Sequence, residues 1–158
     1  MEQSSKLKLT LVFGRICSGK GSYLPGVRRI VVSDIVKRIV SSTNRDALQN
    51  SLHLDNQIAT TLINSIYIAN MANEEEIVVD GIRQVSILDR VLTAYPDAEL
   101  VWLEVPEEER KRRYENRKDV KDVEPFEVAD SKPIELECQR IFEIFKDRLT
   151  IINNYGIN

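Results

Sequence analysis

The stretch Leu7–Ser22, LKLTLVFGRICSGKGS, decides the fold. Leu7 to Phe13 is a short, mostly apolar run that reads as a strand. It leads straight into Gly14-Arg15-Ile16-Cys17-Ser18-Gly19-Lys20-Gly21-Ser22, which fits the spacing G-x-x-x-x-G-K. Successive backbone N–H groups around such a loop converge on one phosphate, and a helix starting at Lys20 would aim its positive end at the same point. Glycines let the backbone approach without a Cβ in the way, and Lys20 reaches the outer phosphates as a point charge. Every residue from Gly14 to Ser22 is therefore a candidate nucleotide-binding residue. Cys17 is read as a small space-filling side chain of the loop, in preference to a reactive thiol.

Outward from the loop, further apolar runs recur at Arg29–Val32, Ile77–Val79 (ending at Asp80), Leu100–Val105 and Thr150–Ile152. They are nearly continuous, which suits parallel strands covered on both faces. Between them lie helical spacings: Leu54, Ile58, Leu62 and Ile66; Val85, Leu88, Leu92 and Tyr95; Cys138, Ile141, Phe142, Phe145 and Leu149. Strands alternating with helices predict an α/β fold of three layers, about five parallel strands with helices on both faces. Residues 34–73 hold no strand pattern and read as a helical, acceptor-binding insertion, and 118–133, polar and with two prolines, as a loop or lid, with the lid region running over about 110–133.

At 158 residues the chain is expected to be a single domain, 1–158. Its 42% apolar and 30% charged residues exclude collagenous, low-complexity and disordered classes. A net charge of -3 gives no global basic field, so any nucleic-acid contact needs a local patch. Cys17 and Cys138 are too far apart in sequence to suggest a disulfide framework or zinc site, and one histidine, His53, excludes His-rich metal chemistry. His53 reads as a helix-start residue and Trp102 as core. No run approaches a membrane span and the N-terminus has no secretory apolar region, so a cytoplasmic setting is expected.

The candidate chemistry lies at strand ends. Asp34 follows the second strand in Val32-Ser33-Asp34-Ile35, where it can take a proton from an attacking hydroxyl, or cap the helix starting at Ile35. Asp80 closes the third strand beside the loop, and with Ser22 it is expected to bind magnesium through water. Arg83 is a candidate for an acceptor phosphate, and Lys37 and Arg45 are weaker ones. Arg110, Arg113 and Arg117, spaced i, i+3 and i+7, share one helical face before the lid.

The Gly-Lys-Gly-Ser ending of the loop resembles adenylate kinase and other nucleoside monophosphate kinases, in place of the Lys-[Ser/Thr] of GTPases and motors. Asp80-Gly81-Ile82-Arg83-Gln84 resembles the Asp-Gly signature of the same group, nearer to the dephospho-coenzyme A kinase type. The resemblance to P-loop kinases runs from Leu7 to about Asn154. It implies ATP and Mg2+ as cofactors, Lys20, Asp34 and Arg113 as catalytic residues, and lid arginines that close on the transferring phosphate. It also implies Asp34, Lys37, Arg83, Arg110 and Arg117 around the acceptor.

The wording VFGRICSGKGSY, VSDIVK, VVDGIRQ and RKDVKD resembles small phage-encoded kinases. The closest look is the thymidylate kinase-like group that phosphorylates 5-hydroxymethyluracil (5-hmdU) in DNA during thymine hypermodification. That implies a DNA partner carrying a modified pyrimidine, met by the seven Lys and Arg between Arg110 and Lys121, in the host cytoplasm. The alternatives are a deoxynucleoside monophosphate kinase or a dephospho-coenzyme A kinase-like enzyme. A non-kinase nucleotide switch is disfavoured by Gly21, which stands where switches carry the magnesium-binding hydroxyl.

Overall fold

The five apolar runs pair side by side in a computed structural model that describes residues 7–41, 51–117 and 124–154. The strands are β1 (Lys8–Phe13), β2 (Arg28–Val31), β3 (Glu76–Asp80), β4 (Glu99–Glu104) and β5 (Leu149–Asn153). They form one sheet in the order β2-β3-β1-β4-β5, with every pairing parallel. β1 stands between β3 and β4, so the chain reverses its direction of winding there. The loop after β1 thus sits at the switch point where open α/β sheets bind ligands.

Side chains alternate between faces along each strand. Leu9, Leu11, Phe13, Ile77, Val79, Leu100 and Trp102 join the main core with four helices: α1 (Val32–Ser41), α2 (Ser51–Met71), α3 (Val85–Ala94) and α6 (Pro133–Ile144). The stripe Ile58, Leu62 and Ile66 of α2 is buried against the sheet as its spacing predicts, and Trp102 is core. On the other face, Val12, Val78, Val101 and Leu103 are covered by Tyr23, Leu24, Val27 and Ile152, none of them helical. Burial of each such aliphatic side chain contributes about 1.5–3 kcal/mol.

This difference in cover has a local cause. The helix expected from Lys20 is a single 3-10 turn, Lys20–Ser22. Only eight residues separate Gly19 from β2, and Leu24 with φ 53° turns the chain back before Pro25 and Gly26.

Other boundaries move for similar reasons. α1 begins at Val32, so Ser33 and Asp34 lie inside its first turn, ahead of the expected start at Ile35. The expected helical stripe to Leu149 crosses an element boundary: α6 ends at Ile144 and Leu149 opens β5. Residues 34–73 do supply helix, in α1 and α2, while Arg45 lies outside the described residues. α4 (Glu107–Arg117) carries the arginine face. The expected loop 118–133 holds a short helix, α5 (Phe126–Asp130), and Pro133 opens α6, where its fixed φ costs nothing. Among the described residues, no helix is long and apolar enough to cross a membrane.

Candidate active site

The loop is folded tightly on itself. The Ser18 N–H donates to Arg15 O at 3.1 Å, and the Ser22 N–H to Gly19 O at 3.1 Å. Gly19 has φ 93°, and a Cβ there would lie 2.4 Å from Asn154 Nδ2, so this position takes glycine for conformation and for space. Asn154, just past β5, donates from Nδ2 to Ser18 O at 2.9 Å. Ile16 and Cys17 seat their side chains on Tyr114, Phe126 and Ala129 of α4 and α5, which confirms the packing part of the Cys17 reading.

The Lys20 ammonium donates to Gly14 O at 2.9 Å and Arg15 O at 3.2 Å. Burial lowers its pKa below the ordinary 10.5, and the Arg83 charge lowers it further, against upward pulls from Cys138, Glu135 and Asp80. The same neighbours place Arg83, Glu135, Asp80 and Cys138 together around Lys20. Cys138 is buried with Sγ 3.6 Å from Gly14 O, and burial raises its thiol pKa.

Two buried carboxylates organise the cations under the loop. Glu135, on the first turn of α6, is 3% exposed. Its Oε1 accepts the Ile16 N–H at 2.9 Å and faces Arg15 Nε at 3.6 Å, while Oε2 faces Arg83 Nη1 at 3.2 Å. Asp130 Oδ1 pairs with Arg15 Nη2 at 3.0 Å and Arg110 Nη1 at 2.7 Å. Arg110 also donates from Nε to Val105 O at 3.2 Å and lies 5.4 Å from the Phe126 ring centre. It is buried, with Asp130, Val105 O and the Phe126 ring as its partners.

Asp80 sits at the end of β3 beside β1, in register with Val12 and Val31. Its Oδ2 faces Arg29 Nη1 at 3.6 Å. Arg29 also donates to Lys20 O at 3.1 Å and to Tyr23 O, fixing the shortened turn. Gly81, with φ 107°, lets the end of β3 approach the start of α1: a Cβ there would meet Val32 Cβ at 3.4 Å and Val32 N at 3.6 Å. Asp34, two residues beyond Val32 in the first turn of α1, is exposed, and so is Lys37 one turn further on.

Arg113 reaches the loop from α4. Its Nε donates to Glu109 Oε2 at 2.9 Å, Nη1 to Cys17 O at 3.2 Å and Nη2 to Asn154 O at 2.7 Å. Hydrogen bonds from Arg112 and Arg113 hold the Glu109 carboxyl down to about 2. Arg117 lies with its guanidinium carbon 5.2 Å over the Tyr114 ring, which itself packs against Ile16 and Cys17 of the loop.

Loop amides and a lysine after a strand suit a nucleotide's phosphates. Among the described residues no three His, Cys, Asp or Glu gather to cage a metal. Asp80 and the exposed Ser22 hydroxyl offer oxygens of the kind that could hold a magnesium ion, which usually keeps water and nucleotide oxygens as its other ligands.

Arg29, Asn154, Asp130 and Glu135 escaped the sequence reading. Glu135 left a signal: it extends the apolar stripe of Cys138 and Ile141 back by one turn, and a carboxylate on a buried stripe demands cations. Asn154 follows a parallel strand end, where ligand-facing residues gather. Arg29 and Asp130 left none.

No protein-family model matches the chain, and no curated protein matches it. Solved structures do. A shikimate kinase from Acinetobacter baumannii, in complex with shikimate, is 14% identical with a TM-score of 0.54, over 96% of this chain and 87% of that one. A shikimate kinase from Bacteroides thetaiotaomicron is 12% identical with a TM-score of 0.53, over 93% of this chain and 86% of that one. The chain shares the α/β fold of these two shikimate kinases.

Proposed function

We propose that this chain is a kinase that transfers the γ-phosphate of ATP to an alcohol. We take that alcohol to be the hydroxymethyl group of 5-hydroxymethyluracil in phage DNA. Fold and loop support phosphoryl transfer, and both similar structures are kinases by name. The observation that carries the alcohol is the charge pairing around the loop. Arg15, Arg29, Arg83, Arg110 and Arg113 each have a carboxylate partner within 3.6 Å. A nucleoside monophosphate acceptor brings a dianion that needs unpaired guanidinium groups, whereas a hydroxyl needs only a base and a place to stand.

The chain's residues divide the work. Loop amides and Lys20 hold the triphosphate and follow the charge of the migrating phosphoryl group. Asp34 takes the hydroxyl proton as the acceptor oxygen bonds to phosphorus and the bond to the leaving ADP breaks. Asp80 orients the water around magnesium, which when bound neutralises phosphate charge. Arg113 fixes the loop through Cys17 O.

The DNA acceptor rests on the resemblance of the loop, VSDIVK, VVDGIRQ and RKDVKD segments to phage kinases. The basic residues from Arg110 to Lys121 would meet the DNA backbone; among them Lys111 pairs with Glu127 and Arg112 with Glu109 at the surface, and Lys118 and Lys121 lie outside the described residues. The test supplies labelled ATP with 5-hydroxymethyluracil DNA, unmodified DNA and the common deoxynucleoside monophosphates. Label should enter only the modified DNA, at a rate that falls as salt rises. Conversion of a monophosphate to its diphosphate, with no label in DNA, overturns the reading.

A further inference from the structure

The Glu135 carboxylate stands in an environment made for an oxyanion. A backbone N–H from the phosphate loop and the guanidinium groups of Arg15 and Arg83 surround its two oxygens, at 2.9, 3.6 and 3.2 Å. One N–H with two arginines is the set of donors a phosphate monoester would take. The carboxylate is 3% exposed and its helix is anchored, since Cys138 and Ile141 of α6 lie in the main core. It cannot swing out to solvent without moving α6.

The position is also specific. Arg83 follows the Asp80-Gly81 end of β3, on the side of the loop where α1 and Asp34 stand, and its charge is felt at Lys20. Glu135 joins Arg83 to the Ile16 N–H of the loop, so whatever Arg83 could bind would lie between the loop and the β3 end. Asp130 cannot replace Glu135 there, because its Oδ1 is shared between Arg15 and Arg110.

We propose that Glu135 is a specificity-determining residue: its carboxylate fills an oxyanion site between the loop and the β3 end, and so excludes phosphorylated acceptors. This rests on the reading of the loop as a phosphoryl-transfer site, and it narrows the acceptor to one uncharged at its reacting end. A phosphate entering that site would meet a fixed like charge at contact distance, which suppresses wrong partners more strongly than a missing attraction does. The same carboxylate keeps Arg83 and Arg15 from binding free phosphate.

The experiment reads anion binding and needs no acceptor, so it stands or falls apart from the identity of the alcohol. Inorganic phosphate is titrated calorimetrically into the protein with ADP and magnesium filling the loop. Wild type should bind it weakly. Glu135→Ala empties the site and removes the like charge, and should bind phosphate at least ~10-fold more tightly. Glu135→Ala combined with Arg83→Gln should return to the wild-type value. Arg83→Gln alone, in a protein that retains Glu135, should leave phosphate affinity unchanged, and this arm remains if Glu135→Ala does not fold. Unchanged affinity in folded Glu135→Ala, a gain that survives removal of Arg83, or a loss in Arg83→Gln alone overturns the proposal. If phosphate binding behaves as stated while modified DNA takes no label, only the proposed alcohol falls.

Discussion

Arg29 Nη1 donates to the carbonyl of Lys20 at 3.1 Å and faces Asp80 at 3.6 Å. One guanidinium thus joins the turn after the loop to the carboxylate at the end of β3. A full helix after the loop would hold Lys20 by its own hydrogen-bond ladder. Here a turn of three residues does so with outside help.

Arg29→Met should therefore loosen the loop. Hydrogen bonds to charged groups contribute about 1.5–3 kcal/mol, and this side chain makes more than one. Denaturant midpoints should fall, and ATP affinity should fall about tenfold or more. Arg29→Lys should recover little of either, since a point charge cannot reach Lys20 O, Tyr23 O and Asp80 together. Unchanged nucleotide affinity in Arg29→Met would show that the turn stands unaided.

Lys20→Met should separate activity from stability. Transfer should drop by at least ~10²-fold, the scale of removing one preorganised electrostatic group. In protein without nucleotide the same change should stabilise the fold. Burial lowers the Lys20 pKa below 10.5, so between the folded value and 10.5 the unfolded chain binds more protons and stability rises with pH. Melting temperatures of wild type should climb through that window relative to Lys20→Met. Parallel pH curves for the two proteins would contradict the lowered Lys20 pKa.

Asp34→Asn should reduce transfer by ~10²- to 10⁴-fold and leave ATP binding intact, because Asn keeps the shape but takes no proton. Asp34 is exposed, so the melting temperature should stay within a degree or so of wild type, the effect of an ordinary surface change. A full rate per folded molecule would reduce Asp34 to a helix-start residue.

Glu109 should matter far into acid. Its carboxyl is held at about 2 against an ordinary 4.5 by bonds from Arg112 and then Arg113. A depressed carboxylate contributes stability that is fully present above the unfolded value and is lost as pH falls through the folded one. The melting-temperature gap between wild type and Glu109→Gln should hold above about pH 5 and close between pH 4.5 and 2. A gap that is absent at pH 7 would mean that Arg113 is positioned by Cys17 and Asn154 alone.

The sheet was legible because its signal is redundant: Ile77–Val79 and Leu100–Leu103 are too apolar and too short for anything but buried strands. The loop was legible because backbone geometry demands glycine and lysine at fixed spacing. The helix after Lys20 was misread because motif spacing fixes the start of a helix and says nothing of its length, which Leu24 and the nearby β2 set. Leu149 kept helical spacing by coincidence of two elements meeting at a buried point. The arginines were legible as a group, but their roles were not. Whether Arg110 faces a substrate or Asp130 depends on a helix, α5, that lies across an expected loop. Glu135 and Arg83 lie more than fifty residues apart in sequence, and only the fold brings them to 3.2 Å.

The central claim is transfer to a hydroxyl, and the linkage of the transferred phosphorus reads it most directly. Phosphorus NMR of the acceptor, recovered from a reaction with ATP, magnesium and 5-hydroxymethyluracil DNA beside a deoxynucleoside monophosphate, distinguishes a phosphomonoester on an alcohol oxygen from a phosphoanhydride. The account predicts a new phosphomonoester on the base and no new phosphoanhydride other than ADP. A phosphoanhydride on the monophosphate, with the hydroxymethyl group untouched, would contradict it.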